Sequence, residues 1–345
     1  MAIAVDLMGG DHAPHAPLRG ALEARSGVAM PLLLVGPRDR MQSLLDASPA
    51  DAAGAAPVEL VDAPEQIGMD EHPVEAVRRK PGASLVVAAR LLREGRASAL
   101  VSAGNTGAVL AASLLHVGRL RGVERPALAV VLPLFGGPVV LIDAGANVDC
   151  RPSHLLQFGM LGGAFARVLL GIERPRVGLL NIGEEPTKGN EAAQQAHRLM
   201  AERVEGFVGN VEGKDVFAGA CDVVVCDGFV GNVLLKSIEG FASSLLGAIR
   251  QQALETVRGR LGGLLLKPAL RRLRDRLDYR TYGGAFLVGV RGVVVVAHGR
   301  SDERAMANAV RMAARGVQEG LVAALESAAA ELSKGERADG IGQRP

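Results

Sequence analysis

The sequence predicts an α/β protein built on a mostly parallel mixed sheet with helices on both faces. Three observations carry this. Short apolar runs recur through the 345 residues with helical spacing between them, the alternation that βαβ crossovers produce. The valine-rich runs do not alternate apolar with polar, as expected of strands covered on both faces. Five of the runs end abruptly in clusters of Gly, Asp, Asn, Ser or Thr, at residues 6–11, 102–108, 143–147, 181–189 and 227–232. Each cluster reads as a strand delivering polar groups to one edge of the sheet.

In chain order, strands are expected at 2–5, 31–35, 58–61, 98–101, 128–132, 138–142, 176–180, 222–226, 285–290 and 293–297. Pro133-Leu134-Phe135-Gly136-Gly137-Pro138 reads as a short reversal, so at least one antiparallel pair is expected. Residues 301–334 read as a terminal helical region: Ser301 can cap it, Asp302 and Glu303 suit its first turn, and Met306, Val310 and Val317 share a face. Residues 335–345 are expected to fray. Since no repeat or low-complexity linker divides the chain, residues 1–334 are expected to form one extended α/β unit from which a basic amphipathic helical segment at about 250–280 protrudes.

Composition narrows the function. Hydrophobic residues at 48%, charged residues at 22% and 44 glycines suit a compact α/β protein with many tight turns, not a disordered chain. Aromatics at 3%, no Trp and a net charge of +2 argue against nucleic-acid binding by base stacking or phosphate contact. Cys150, Cys221 and Cys226 are odd in number and lack paired ligand spacing, so neither a disulfide framework nor a metal site is expected. No secretory leader is visible, and no stretch of 18 uncharged apolar residues occurs, so a cytoplasmic location is expected.

GxSxG, HExxH, GxxxxGK[ST] and GxGxxG motifs are all absent. Direct transfer between two bound substrates, helped by positioning and anion stabilisation, is then the simplest chemistry, and no cofactor is expected. In the second cluster, Ser102, Gly104, Asn105 and Thr106 lie between a strand and a helix start. Gly104 allows close backbone approach and the first helical turn offers free N–H groups, so an anion is the natural guest; a ligand-free turn capped by Asn or Thr is the alternative. Asp6, Gly9, Gly10 and Asp11 could orient an acceptor or leaving group, or form a glycine turn with a capping aspartate. Asp143 and Asn147 could bind the reacting group or tie loops together. Asn181 leads to Lys188, a charge clamp for phosphate or an exposed helix-starting lysine. Asp227 and Asn232 place an acid and an amide beside a helix start. His298 follows a valine run and could act as a base, hydrogen-bond an intermediate, or be structural.

Residues 258–280 hold eight Lys or Arg against two Asp, a surplus of six in a chain of net +2, so the remainder is net acidic. Leu266, Leu270, Leu273 and Leu277 are expected on one helical face. They follow an apolar tip, Leu261-Gly262-Gly263-Leu264-Leu265, with Pro268 near the helix start. Such a surface, including Leu264, Leu265, Lys267, Arg271, Arg272 and Arg274, can pack on the protein, dock an acidic partner, or lie on anionic lipid.

The segments MGGD (8–11), SAGNTGA (102–108), DAGANVDC (143–150), NIGEEPTKGN (181–190), FVGNVEGKDVF (207–217), CDGFVGN (226–232) and HG-x-SD (298–302) resemble the phosphate acyltransferase family of PlsX type. The likeness runs from residue 3 to about 312. It implies transfer of a long-chain acyl group from acyl-carrier protein to inorganic phosphate. The acyl-phosphate would then serve a glycerol-3-phosphate acyltransferase in phospholipid synthesis. The resemblance also implies a fold similar to phosphotransacetylases and isopropylmalate dehydrogenases, a homodimer, and peripheral contact with the inner face of the plasma membrane. On this reading Lys188 and the 102–106 loop supply phosphate donors, while Asn147, Asn181 or His298 polarises the thioester carbonyl. Ala144 and Arg300 depart from the family pattern, the latter at a position where a small residue is usual. A CoA-dependent phosphate acetyltransferase, a dehydrogenase of similar fold and a non-enzymatic membrane scaffold are the competing readings.

Overall fold

The computed structural model describes residues 1–47, 56–276 and 283–338. Eleven strands among them form one sheet: β1 (Ile3–Asp6), β2 (Leu32–Gly36), β3 (Val58–Asp62), β4 (Ala99–Ser102), β5 (Ala127–Leu134), β6 (Gly137–Ile142), β7 (Val177–Leu180), β8 (Phe207–Val211), β9 (Val223–Val225), β10 (Ala285–Val288) and β11 (Val293–Val296). Their spatial order is β3-β2-β1-β4-β11-β10-β5-β6-β9-β7-β8. Between them run α1 (His15–Ala24), α2 (Arg38–Asp46), α3 (Pro73–Arg79), α4 (Ser84–Arg93), α5 (Thr106–Ala112), α6 (Pro152–Leu170), α7 (Glu191–Arg203), α8 (Gly213–Ala218), α9 (Gly228–Glu255) and α10 (Val257–Arg276), with α11 (Glu303–Gln318) and α12 (Leu321–Ala338) closing the chain.

Alternate strand residues feed two cores. Ile3 and Val5 point to one face with Leu18 of α1, Phe158 and Phe165 of α6, and Met306 and Val310 of α11. Ala4 and Leu100 point to the other with Leu85 and Val86 of α4 and Val109 of α5. Coverage of both faces explains why the strands read as continuous apolar runs. The ten expected strands are all present, with ends moved by one or two residues. Edge strand β8 was not expected, because Gly209 at φ +96° and Asn210 interrupt its short apolar run.

β1, β2, β3, β4 and β11 are mutually parallel, and so are β6, β9, β7 and β8. Three antiparallel steps separate the groups: β11 to β10, β10 to β5, and β5 to β6. The last is the hairpin turned at Phe135-Gly136, with Pro133 opposite Pro138 as the reversal signal required. An odd number of reversals makes the two groups run in opposite directions. The five polar clusters therefore do not share one edge, contrary to the sequence expectation. Those after β1 and β4 leave one end of the sheet, and those after β6, β7 and β9 leave the other.

Two further corrections concern helices. The terminal region is two helices, broken where Gly320 takes φ +70°, and Asp302 instead of Ser301 caps the first by accepting from Ala305 N at 2.9 Å. α12 continues past 334 to Ala338, and residues 339–345 of the expected tail lie outside the described residues. The supposed apolar tip at 261–265 lies within α10, which starts at Val257 and contains Pro268 in its interior. Gly263 serves close packing there, since its Cβ would stand 3.2 Å from that of Ala253 on α9, whereas Gly262 faces open space. No helix among the described residues is long and apolar enough to cross a membrane.

Candidate active site

At the first edge, β1, β4 and β11 lie side by side and three loops converge. Asp6, at the end of β1 and only 2% exposed, anchors them. Its Oδ1 accepts from Met8 N at 3.1 Å and Ser84 Oγ at 2.6 Å, and its Oδ2 accepts from Ser102 Oγ at 2.7 Å. Ser102 Oγ in turn accepts from Gly104 N at 3.0 Å. Burial raises the Asp6 pKa and these hydrogen bonds oppose the rise. Gly9 lets the loops touch, since a Cβ there would lie 2.6 Å from Gly104 N. Gly10 has φ +96°, and Asp11 N donates to Gly299 O at 2.8 Å, joining the loop after β1 to the one after β11. Asn105 caps α5 by accepting from Ala108 N at 3.1 Å and donates to Met69 O at 2.8 Å.

Between the two edges lies a cleft of about 490 Å³. Its floor is apolar, with Leu128 and Val130 of β5, Ala285 of β10 and Val296 of β11, and Leu235 of α9 on its wall. Asp11, Thr106, His298 and Arg300 come to it from the first edge, Gly145 and Asn232 from the second. The offset of the strands makes this possible: Ile142, Ala129, Phe286 and Val295 lie in one row across four strands, and the loops after β6 and β11 leave that row in opposite directions. Donors gather at the β11 end. His298 Nδ1 accepts from Arg300 N at 3.2 Å, and Lys236 Nζ lies 3.2 Å from His298 Nε2 and 2.8 Å from Glu239 Oε2. Burial first, then the Lys236 charge, lower the His298 pKa, so its imidazole is neutral at pH 7.

At the second edge, Asp143 is fully buried and ties its loop together. Oδ1 accepts from Leu128, Gly145 and Ala146 N at 2.9, 3.1 and 3.0 Å; Oδ2 accepts from Asn147 N at 2.7 Å and Nδ2 at 2.9 Å. Burial raises its pKa against those bonds. Asn147 Nδ2 also donates to Pro126 O at 2.8 Å, so both amide hydrogens are committed. Asp227 caps α9, accepting from Val230 N at 2.8 Å. Asn181 accepts from Ile182 N at 2.8 Å and donates to Lys188 O at 3.1 Å, while the exposed Lys188 side chain folds over Gly183 and does not line the cleft.

The structure thus brings Asp11, Thr106, Asn232 and His298 to one cleft and leaves Asp6, Asp143 and Asn147 as buried or half-buried ties around it. Sequence reasoning missed Ser84 and Lys236. Ser84 carried no motif. Lys236 carried one: it follows Asn232 by four residues, which places both on one face of α9. Burial pushes the Cys150 thiol up to about 12 and Cys221 up to about 11, and raises Cys226 as well, leaving all three protonated and poor nucleophiles at neutral pH. Among the described residues no group of three or more His, Cys, Asp or Glu could hold a metal ion.

Beyond the cleft, α9 continues and pairs with α10 as a helical hairpin. Phe241 and Leu245 of α9 and Leu261, Leu264, Leu265 and Leu266 of α10 are exposed, Leu265 to 76%. Lys267 and Arg271 lie on the same helix and are exposed. The side chains of Arg272 and Arg274 lie outside the described residues.

A mixed sheet covered on both faces, with an apolar cleft over its middle, is an α/β architecture of the phosphotransacetylase-like kind. Solved structures share that architecture. A phosphotransacetylase from Streptococcus pyogenes superposes with a TM-score of 0.61 at 15% identity, over 92% of this chain and 94% of its own. The EutD phosphotransacetylase from Staphylococcus aureus gives 0.56 at 15% identity, over 96% and 94%. Sequence comparison goes further: residues 1–324 match the model of the fatty acid synthesis protein family, and the chain belongs to that family, of PlsX type. The curated phosphate acyltransferase of Heliobacterium modesticaldum is 50% identical over 326 residues, covering 94% of this chain and 97% of the relative. The phosphate acyltransferase of Desulforudis audaxviator is 49% identical over 342 residues, covering 99% of this chain and 100% of the relative. The protein is accordingly an acyltransferase with phosphate as acceptor.

Proposed function

We propose that this enzyme transfers a long-chain fatty acyl group from acyl-carrier protein to inorganic phosphate, yielding acyl-phosphate for phospholipid synthesis. The observation that carries the reading is the amphipathic cleft, whose Leu128, Val130, Ala285 and Val296 floor suits an acyl chain and whose His298 end suits an oxyanion. A phosphate oxygen bonds to the acyl carbon, the thioester C–S bond breaks, and the carrier's sulfur leaves with the proton of hydrogen phosphate. A covalent enzyme intermediate is unnecessary, in keeping with three protonated thiols and with Ser84 and Ser102 hydroxyls committed to Asp6. Asp6, Asp143 and Asn147 position the loops. Thr106, with the N–H groups behind Asn105, and Asn232 contact substrate, and Lys188 supplies an outer positive charge.

The α9–α10 hairpin is proposed to dock the acidic carrier, an anionic bilayer, or both, through its leucines and basic residues, and its exposed apolar side chains also suit a second copy of the chain in a homodimer. A glycerol-3-phosphate acyltransferase would consume the product. A product assay decides the reaction: purified protein with palmitoyl-carrier protein and phosphate is expected to form acyl-phosphate without lipid, and to prefer that donor over acetyl-CoA. Preference for acetyl-CoA would support the CoA-dependent reading instead, and absence of acyl-phosphate with palmitoyl-carrier protein would overturn the long-chain carrier-dependent reading.

A further inference from the structure

We infer that Lys236 and His298 form the seat for inorganic phosphate, an oxyanion held between the Lys236 ammonium and the imidazole Nε2–H at the β11 end of the cleft. The inference rests on the acyl-to-phosphate reading above and adds to it the residues that bind the acceptor.

The geometry is one of surplus donors. A neutral imidazole has one N–H and one lone pair. Arg300 N, 3.2 Å from Nδ1, uses the lone pair and puts the ring proton on Nε2. Lys236 Nζ stands 3.2 Å from that same Nε2. In that tautomer the ammonium hydrogens and the imidazole N–H lie side by side, and one anionic oxygen at the mouth of the pair can accept from both. Glu239 Oε2 takes only one of the three ammonium hydrogens. Protonation of the imidazole would add a second cation, which Lys236 itself opposes.

The charges around the pair sharpen this. Lys236, Arg300, Glu239 and Asp11 surround His298, two of each sign, so hydrogen-bond donors and not a net positive field select the guest. Phosphate, with several acceptor oxygens, can meet the ammonium and the imidazole together. The apolar floor begins next to the seat, at Val296 and Ala285, which puts a bound phosphate within reach of an acyl carbonyl lying on that floor.

The test titrates inorganic phosphate into the full chain and follows the His298 ring by proton–nitrogen NMR, alongside steady-state kinetics. A saturable shift of the His298 resonances is expected in the parent. In Lys236→Met, phosphate affinity and phosphate KM should each worsen by about tenfold or more, the loss of one charge-assisted contact, with the acyl-carrier KM unchanged. Lys236→Arg should recover part of the loss, which a purely structural role would not produce. Since Lys236 is half-exposed, the Met variant is expected to fold, and its melting curve checks this. Parental phosphate affinity in Lys236→Met, or His298 resonances indifferent to phosphate, overturns the seat. Lys236-dependent phosphate binding by a protein that makes no acyl-phosphate supports the seat and overturns the acyl-transfer reading. Acyl-phosphate formation by Lys236→Met at the parental phosphate KM overturns the seat alone.

Discussion

Gly9 shows how one residue constrains the first edge. The missing side chain is what allows the loops after β1 and β4 to pack, with an added Cβ 2.6 Å from Gly104 N and 2.7 Å from Asp6 Oδ2. Gly9→Ala is expected to cost about 1–3 kcal/mol by overpacking, read as a lower urea midpoint, and to cut activity more than that loss of folded protein explains. Lys188 lies outside the cleft, so Lys188→Ala should raise the phosphate KM a few-fold while leaving carrier binding intact. An unchanged phosphate KM would remove Lys188 from the site. Asp6 answers to pH. Burial raises its pKa above 3.8, so the folded state keeps a proton that the unfolded chain releases. The stability this contributes is present below 3.8 and lost as pH rises through the folded pKa. Denaturant melts across that window should show Asp6→Asn gaining on the parent as pH increases. A pH-independent difference would mean that the carboxyl does not titrate there.

At the scale of elements, α9 links the cleft to the outside. Its first turns carry Asn232, Leu235 and Lys236 to the cleft, its middle turns leave Phe241 and Leu245 exposed, and its last turns pack against α10 at Ala253. Closely packed helices here depend on small residues, Ala253 against Gly259 and Gly263. Arg271→Glu combined with Arg274→Glu is expected to weaken binding to acidic carrier or anionic vesicles, most strongly at low salt, where screening is least. Equal binding of the double variant and the parent at low ionic strength would exclude the hairpin as the docking element. Gly231 sets the other end of α9: a Cβ there would overlap the Asp143 carbonyl, so Gly231→Ala should displace the loop that borders the cleft and lower the melting temperature.

For the whole molecule, the three antiparallel steps matter more than any motif. They oppose the two parallel groups and put the cleft over β5 and β10, where neither group's strand ends lie alone. Residues from both edges must then act on one substrate, and damage at either edge should reach the chemistry. Gly9→Ala and Gly231→Ala, on opposite edges, are expected to lower kcat in the same assay with effects that do not simply add, because both reshape one cleft.

The sequence by itself determined the elements and the family. Apolar runs with helical spacing between them marked ten strands, the Pro133–Pro138 reversal marked the hairpin, and the ordered glycine-rich segments carried the resemblance to phosphate acyltransferases. Local pattern suffices for these because strand formation, turns and motifs depend on neighbours in the chain. Strand direction across the sheet does not, and only the tertiary structure separated the five clusters onto two edges. It also decided which polar groups face the cleft. Asp6 and Asn147 look as available in the sequence as His298, yet the first is buried among serine and backbone donors and the second spends its amide on Asp143 and Pro126. Lys236 shares a helix face with Asn232, four residues before it, but gains its place because a helix from one edge crosses to a histidine from the other. The partners that commit or free a side chain come from distant segments, and packing alone brings those segments together.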